Sequence, residues 1–206
     1  MLNTNLINGN TRVLVRGGPF EGKERTHLTP KCKFGRDDLV VEATYVKCTA
    51  QPRKVVESEA ATAEKNATCL QCENSPPGTN DEIVPFTVSL TGDFSDIDNS
   101  VPFRYYKDPE IFSIYPRYGE KDGRTRVEVW GDNFLNFDQF TRCAFGSKSV
   151  PAVFVNSNYM YCHSPPSDVV EKGIPFSITL NMQQNSKSQI SYWYYNKPSI
   201  TKVVPD

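Results

Sequence analysis

The stretch that decides the fold occurs twice, as GNTRVLVRG at residues 9–17 and as GRTRVEVWG at residues 123–131. Between the two glycines, valines recur at every second position, Val13 and Val15 in the first copy and Val127 and Val129 in the second, which is the period of a half-buried β-strand. A recurring unit has to be identified first, because it determines the fold prediction. Features shared by both copies are therefore interpreted as scaffold, and features of one copy as candidates for function.

Four further segments of the first copy have counterparts in the second. They are CKFG and CAFG (from Cys32 and Cys143), YVKCTAQP and YMYCHSPP (from Tyr45 and Tyr159), VPFTVSL and IPFSITL (from Val84 and Ile174), and RYYKDPEI and WYYNKPSI (from Arg104 and Trp193). This alignment equates Cys48 with Cys162 and leaves an insertion at about 53–82 in the first copy. The insertion is polar, so it is predicted to be a surface loop.

The remaining pattern is that of short strands separated by turns. Segments such as 86–90 and 176–180 alternate cleanly, and Gly- and Pro-containing turns lie between such segments at short intervals. Only 55–65 shows a weak helical stripe. Short, evenly spaced strands of this kind predict an all-β protein built as antiparallel β-sandwiches.

The repeat also predicts the domain boundaries. Residues 1–108 form the first unit, with its first strand missing or degenerate, and residues 109–197 form the second. The C-terminal segment PSITKVVPD repeats the pattern of PEIFSIYPR at the start of the second unit. Residues 198–206 are therefore predicted to be the start of a third module.

The second copy resembles the IPT/TIG family, the immunoglobulin-like domains found in plexins, in scatter-factor-type receptors and in some transcription factors. The resemblance runs from Pro109 to Tyr195. It is carried by P-x-I-x-x-I-x-P at 109–116, Gly119, G-x-T-x-V-x-V-x-G at 123–131, Asn133-Phe134, C-x-F-G at 143–146, C-x-S-P-P at 162–166 and Tyr194-Tyr195. It implies two tandem immunoglobulin-like sandwiches. The first copy departs from the family at Gly17-Gly18-Pro19-Phe20, at TAQP (49–52) and in its insertion.

All six cysteines are predicted to form disulfides: Cys32, Cys48, Cys69, Cys72, Cys143 and Cys162. The family resemblance implies the pairs Cys32–Cys48 and Cys143–Cys162. Cys69 and Cys72 leave several interpretations open: a small disulfide in the insertion, pairing of Cys48 with one of them, a redox C-x-x-C, or half of a zinc site. An even number of cysteines in β-sandwich modules favours an oxidising compartment.

Few other residues are candidates for a site. Asn66 begins an N-glycosylation pattern, Asn-Ala-Thr, in the polar insertion. Asp93, Asp96 and Asp98 are a weak candidate set for calcium, because carboxylate oxygens are the ligands it prefers. Trp193 and Tyr195 are expected on one face of a strand and Tyr192 and Tyr194 on the other, so that half of this aromatic run is core.

Catalytic and cofactor sites are not expected. The segment 17–23 fits the start of a phosphate-binding loop, but Glu24 replaces the required Ser or Thr and no helix is predicted to follow. Neither His27 nor His163 has a catalytic partner near it in sequence. No catalytic residue, cofactor or resident metal is therefore predicted.

The composition narrows the class of partner. The net charge is −1, with 23 basic and 24 acidic residues interspersed, which gives no reason to expect nucleic acid. No apolar run is long enough to insert into a membrane. The sequence predicts a non-catalytic fragment of a cell-surface or secreted multi-module protein, a glycoprotein acting as spacer and adhesion module. Its expected partners are another protein, which includes a second copy, and neighbouring modules.

Three alternatives stay open at this stage. An intracellular scaffold module of the cytoskeletal or ciliary type would keep its cysteines reduced. A DNA-binding or dimerisation module is disfavoured by the near-neutral charge. A carbohydrate-associated module of an enzyme is the remaining alternative.

Overall fold

A computed structural model divides the chain into two compact units, 1–107 and 108–206. The described residues are 9–17, 20, 28–36, 38–48, 68–78, 81–95, 100–188 and 190–204, together with the backbone of 3–6. Among them there is no α-helix, and a single 3-10 turn spans Asp138–Phe140. The all-β prediction is confirmed.

Unit 1 contains seven described strands. They are β1 (Asn3–Leu6), β2 (Val13–Val15), β3 (Lys31–Phe34), β4 (Val40–Lys47), β5 (Thr68–Cys72), β6 (Glu82–Ser89) and β7 (Val101–Tyr106). Their spatial order is β1-β7-β6-β3-β4-β5-β2. All pairs are antiparallel except β1 with β7, which is parallel.

Unit 2 repeats this arrangement with one more strand. Its strands are β8 (Glu110–Tyr115), β9 (Tyr118–Glu120), β10 (Arg126–Asp132), β11 (Arg142–Phe145), β12 (Lys148–Asn156), β13 (Tyr159–His163), β14 (Gly173–Thr179) and β15 (Ser191–Tyr195). The order is β8-β10-β13-β12-β11-β14-β15-β9. The parallel pair β9–β15 is the counterpart of β1–β7.

One long strand in each unit takes part in both sheets of the sandwich. In unit 2 the first half of β12 pairs with β11, up to Pro151 opposite Arg142. From Ala152 onward β12 pairs with β13 instead. In unit 1 β4 divides in the same way between β3 and β5. The two sheets are thus immunoglobulin-like in architecture, with the core between them.

Aromatic side chains fill both cores. In unit 1 the Phe34 ring lies edge-on to Phe86 and to Phe103, at 4.9 Å from each. In unit 2 Phe145 lies edge-on to Phe176 and to Tyr192, at 5.0 Å from each. All six rings are at most 2% exposed. Edge-to-face rings of this kind add stability beyond the area that they bury.

A Ser-Pro-Pro corner closes each sandwich in the same way. In unit 2 the Thr125 amide donates to Ser164 Oγ at 3.2 Å and the Arg124 amide donates to the Ser164 carbonyl at 2.8 Å. Gly123 has a φ of +78°, and a Cβ there would lie 2.6 Å from the Ser164 carbonyl oxygen. The corner therefore requires glycine at this position.

Unit 1 builds the same corner from a different place in the sequence than the alignment predicted. Ser75 accepts from the Thr11 amide at 3.1 Å through Oγ, and its carbonyl accepts from the Asn10 amide at 2.8 Å. The counterpart of Ser164 is therefore Ser75, and CENSPP (72–77), not CTAQP (48–52), corresponds to CHSPP (162–166).

The prediction of a surface loop over 53–82 is accordingly wrong for its second half. β5 lies between β2 and β4, as β13 lies between β10 and β12. Cys69, Leu70 and Cys72 in it are fully buried. The extra residues of the first copy fall between β4 and β5, where unit 2 has only Ser157 and Asn158. Residues 49–67 lie outside the described part.

Candidate functional site

The disulfides follow this corrected correspondence. Cys143 on β11 is joined to Cys162 on β13. In unit 1 Cys32 on β3 is joined to Cys72 on β5, not to Cys48 as the family resemblance implied. Each of these two bonds joins the two sheets of its own sandwich. The strands that it connects are equivalent in the two units. The pairing Cys32–Cys48 was wrong because β5, and not the end of β4, occupies the place of β13.

The third disulfide belongs to unit 1 alone among the described residues. Cys48, after the end of β4, is joined to Cys69 on β5, with their Cα atoms 5.1 Å apart. This is one of the pairings that the sequence left open, and no described cysteine is free. The bond ties together the two strand ends from which 49–67 depart. Cys69 and Cys72 thus form two separate disulfides and no redox pair.

Two other candidate sites from the sequence fall partly outside the described residues. Asn66, Asp96, Asp98 and His27 all lie outside them. Asp93 is exposed, and its Oδ1 accepts hydrogen bonds from the Ser95 amide at 3.0 Å and hydroxyl at 2.7 Å. These hydrogen bonds lower the pKa of Asp93. Among the described residues no group of three metal-ligating side chains is brought together.

The aromatic run at the end of unit 2 divides between core and surface as predicted. Tyr192 and Tyr194 are at most 1% exposed, whereas Trp193 and Tyr195 are 37% and 41% exposed. Trp193 on β15 stacks with the exposed Tyr118 of β9 at 6.4 Å between ring centroids. A small exposed aromatic pair therefore lies on this side of the sandwich.

A larger exposed aromatic group lies on the opposite sheet, and we call it the aromatic face. It consists of the outward-pointing side chains of β10, β13 and the second half of β12: Arg126, Glu128, Trp130, Val153, Tyr159, Tyr161 and His163. The residues between them, such as Val127, Val129 and Met160, are fully buried. The alternation of the strands thus separates core from surface.

Contacts across the strands hold the aromatic face in place. Trp130 lies opposite Tyr159, with 5.6 Å between the ring centroids. The Arg126 guanidinium lies 4.0 Å from the centroid of the Tyr161 ring and donates to Tyr159 Oη at 3.3 Å. The same guanidinium lies 3.8 Å from a carboxylate oxygen of Glu128. A cation over the face of an aromatic ring is attracted by the ring, so these contacts hold Arg126 against the two tyrosines.

Comparison with known proteins identifies the unit that carries this face. The family model described as "IPT/TIG domain" matches residues 109–194. This segment is an IPT/TIG domain.

The wider comparisons extend the likeness to the whole chain. Human Plexin-A4 is 26% identical over 133 residues, which cover 58% of this chain and 7% of Plexin-A4. The solved structure of the Plexin A4 full extracellular region superposes with a TM-score of 0.55 at 17% identity, over 98% of this chain and 16% of that one. The chain thus spans a small part of its relative. At this identity, the structural likeness concerns the fold of both units.

More apolar side chains border the aromatic face of the IPT/TIG domain. Tyr115 of β8 lies opposite Glu128 and is 69% exposed, and Val155 of β12, two residues after Val153, is 50% exposed. Single exposed apolar residues are common, but a contiguous group on one sheet is not. Trp, Tyr and Arg are also the residues that dominate binding at protein interfaces.

Unit 1 has no aromatic residue at the positions equivalent to Trp130, Tyr159 and Tyr161, where it carries Arg16, Cys69 and Gln71. Because Val13 pairs with Cys72 as Val127 pairs with Cys162, Tyr161 has Gln71 as its counterpart. Val153 similarly has Thr44. Gln71 Nε2 and Thr44 Oγ1 both donate to Glu73, at 3.2 and 3.4 Å. The aromatic rings of this face are therefore specific to the IPT/TIG domain, whereas Arg126 has a counterpart in Arg12.

The sequence carries a signal for this face. In TRVEVW (125–130) and YMYCH (159–163) the polar phase of the strand holds Trp and Tyr. These aromatic residues are seen to be specific to the second copy only when β13 is aligned with its correct counterpart, TCLQC (68–72). With YVKC as the counterpart, Tyr159 aligns with Tyr45 and does not stand out as specific to the second copy. No helix of the described residues is long and apolar enough to cross a membrane.

Proposed function

We propose that this chain is a non-catalytic extracellular module of a larger cell-surface or secreted protein, and that the aromatic face binds another protein. The sandwich units serve as spacer and support, and neighbouring modules of the longer chain are further partners. The observation that carries the proposal is the Arg126–Tyr161 and Trp130–Tyr159 cluster of unit 2, whose three rings have no aromatic counterpart in unit 1.

The extracellular location is supported by covalent chemistry and by the relatives. The chain holds three disulfides, two of them joining the sheets of a sandwich. Such bonds persist outside the cell and are rare in the reducing cytosol. The structural relative is an extracellular region. A recognition role, and not catalysis, also agrees with the near-neutral charge and the apolar, aromatic character of the face.

Photo-crosslinking on intact cells tests this proposal. A photoreactive phenylalanine analogue replaces Val153 on the aromatic face or, as the matched control, Thr44 at the equivalent position of unit 1. The purified chains are applied to intact cells that express the full-length protein, and are then irradiated. We expect the Val153 probe to cross-link to a discrete protein, and the Thr44 probe not to do so.

Competition identifies the contact as specific. Excess unlabelled wild-type chain is expected to abolish the Val153 cross-link, whereas a Trp130→Ala/Tyr161→Ala chain is expected to leave it. Both side chains lie on the surface of the sheet, so the variant should keep the fold, which circular dichroism checks. Equal cross-linking from Val153 and Thr44, or equal competition by both chains, would contradict the proposal.

A further inference from the structure

A second exposed aromatic surface lies on the sheet of unit 2 that is opposite the aromatic face. On β9 the strand alternation points Tyr118 and Glu120 outward, while Gly119 between them is buried. On β15 it points Trp193 and Tyr195 outward. In the register of this parallel pair Trp193 lies beside Tyr118. Tyr195 lies beside Glu120 in the same register. We call these four outward side chains the aromatic platform.

The rings of the aromatic platform lie close together and are accessible. The Tyr118 and Trp193 rings are 6.4 Å apart between their centroids, and their planes are 27° from parallel. Both rings are exposed, as is that of Tyr195. Glu120 is partly exposed and adds a carboxylate to the same surface. The platform thus offers nearly parallel rings, spaced on the scale of one sugar ring, with a hydrogen-bond acceptor at their side.

A glycine on the neighbouring strand makes room for the indole of the platform. Gly173 of β14 lies opposite Trp193. A Cβ on Gly173 would lie 3.0 Å from Cζ2 of the indole, so the indole occupies the place that a side chain would take. The φ of Gly173 is not left-handed, so the backbone itself does not require glycine here. Glycine inside a strand weakens the strand and often marks the close approach of a ligand.

The pair of tryptophan and glycine belongs to unit 2 alone. In unit 1 Ile83 pairs with Arg104 as Gly173 pairs with Trp193. Arg104 forms an ion pair with Asp81, with 3.3 Å between Nε and Oδ1. Unit 1 therefore folds with an isoleucine and a paired cation at these two positions. The shared scaffold does not explain why unit 2 has an exposed indole above a glycine.

We propose that the aromatic platform of unit 2 binds neutral glycans. A pyranose ring carries C–H groups on its faces, and these are attracted to the electron-rich faces of Trp and Tyr rings. Its hydroxyl groups lie around its edge, where the Glu120 carboxylate accepts hydrogen bonds from them. The same negative charge disfavours sulfated and sialylated glycans. Three rings and one carboxylate match a short oligosaccharide, whereas a stable protein interface is much larger. This site does not depend on the aromatic face of the opposite sheet.

A glycan array tests this inference. The array carries neutral, sialylated and sulfated oligosaccharides, and the biotinylated chain is tetramerised on streptavidin so that several weak contacts act together. We expect the wild-type chain to bind neutral glycans, and Trp193→Ala to weaken this binding about tenfold or more. Phe112→Ala is the matched control, because it removes an exposed ring of β8 that lies outside the platform. It should bind like wild type.

Replacement of the glycine separates glycan binding from folding. Gly173→Ile introduces the residue that unit 1 has at this position, and its side chain displaces the indole. Unit 2 should stay folded because isoleucine is favoured in strands, which circular dichroism checks. Its affinity for glycan should fall. The fluorescence of Trp193 in a Trp130→Phe chain, which has no other tryptophan, follows titration with the neutral glycan that the array identifies.

Several outcomes would overturn the inference. They are the absence of any bound glycan, binding confined to sialylated or sulfated glycans, and equal binding by wild type and Trp193→Ala. Binding to intact cells, before and after enzymatic removal of their glycans, distinguishes a glycan from a protein partner. Binding that depends on Trp193 and persists on the glycan-free cells would show that the platform contacts a protein instead.

Discussion

Tyr194 Oη donates a hydrogen bond to the carbonyl oxygen of Pro165 at 2.7 Å. The same bond joins Tyr105 to Pro76 in unit 1, at 3.1 Å. In both units it ties the last described strand of the second sheet to the Ser-Pro-Pro corner behind the first sheet. The two tyrosines are therefore equivalent scaffold residues, and their rings are buried.

Removing either hydroxyl should destabilise one unit. Tyr194→Phe leaves the Pro165 carbonyl without this donor, which is expected to cost about 1–2 kcal/mol of unfolding free energy. Tyr105→Phe should have an effect of similar size in unit 1. Urea unfolding followed by near-ultraviolet circular dichroism measures both values. A loss below about 0.3 kcal/mol for both variants would show that these bonds contribute little.

Stability should fall at alkaline pH because of the same residues. Burial raises the pKa of Tyr105 to about 12, with a further contribution from Glu82. In the unfolded chain the pKa is about 10. The stabilisation is therefore complete below pH about 10 and is lost as the pH rises from about 10 to about 12. Burial raises the pKa of Tyr194 as well.

The control for the pH effect is Tyr105→Phe, which cannot ionise. Its unfolding free energy should depend less on pH than that of the wild type between about pH 10 and 12. Urea unfolding at each pH, with the disulfides intact, gives both curves. Parallel curves for the two proteins would rule out Tyr105 as the source of the effect.

Two deletions distinguish the residues that are inserted in unit 1 from those that belong to its sheet. Removing residues 53–82 takes away β5 and Cys72, so the unfolding transition of unit 1 should be lost. Removing residues 53–66 keeps every described strand and both unit 1 disulfides. The unfolding transition of unit 1 should therefore remain. Differential scanning calorimetry distinguishes the outcomes. Two intact transitions after the longer deletion would contradict the placement of β5 in the sheet.

The unit 1 disulfides should contribute unequally to stability. Cys32–Cys72 spans 40 residues and Cys48–Cys69 spans 21. The chain-entropy model gives about 4 and about 3 kcal/mol for loops of these lengths. Cys32→Ser/Cys72→Ser also buries two hydroxyls in the core, so it should be the more damaging pair. Denaturant unfolding of the two double variants checks the order, and the reverse order would contradict it.

The sequence predicted the fold because the strand signals are local. Alternation in Val127–Val129 and in Tyr192–Tyr195, with glycine and proline between strands, places each side chain on the face where the structure has it. The IPT/TIG pattern then specified the type of sandwich. These features depend on neighbouring residues, which a sequence displays directly.

The sequence did not predict which strand of unit 1 corresponds to β13. YVKC and TCLQC both precede a proline, and the choice between them depends on pairing with β2, a contact over more than 50 residues. That one error gave the insertion the wrong position and Cys32 the wrong disulfide partner. It also left the aromatic face of unit 2 unrecognised. The Ser-Pro-Pro at 75–77 was the feature that could have decided it, because the Ser164 corner has specific partners.

Disulfide mapping of the protein isolated from its native source, without reduction, tests the central claim most directly. The account predicts three linked peptide pairs in the mass spectrum: Cys32 with Cys72, Cys48 with Cys69, and Cys143 with Cys162. This result would establish both the oxidised, extracellular state and the correspondence of the two units. Cysteines that alkylate without reduction, or a Cys32–Cys48 peptide, would contradict it.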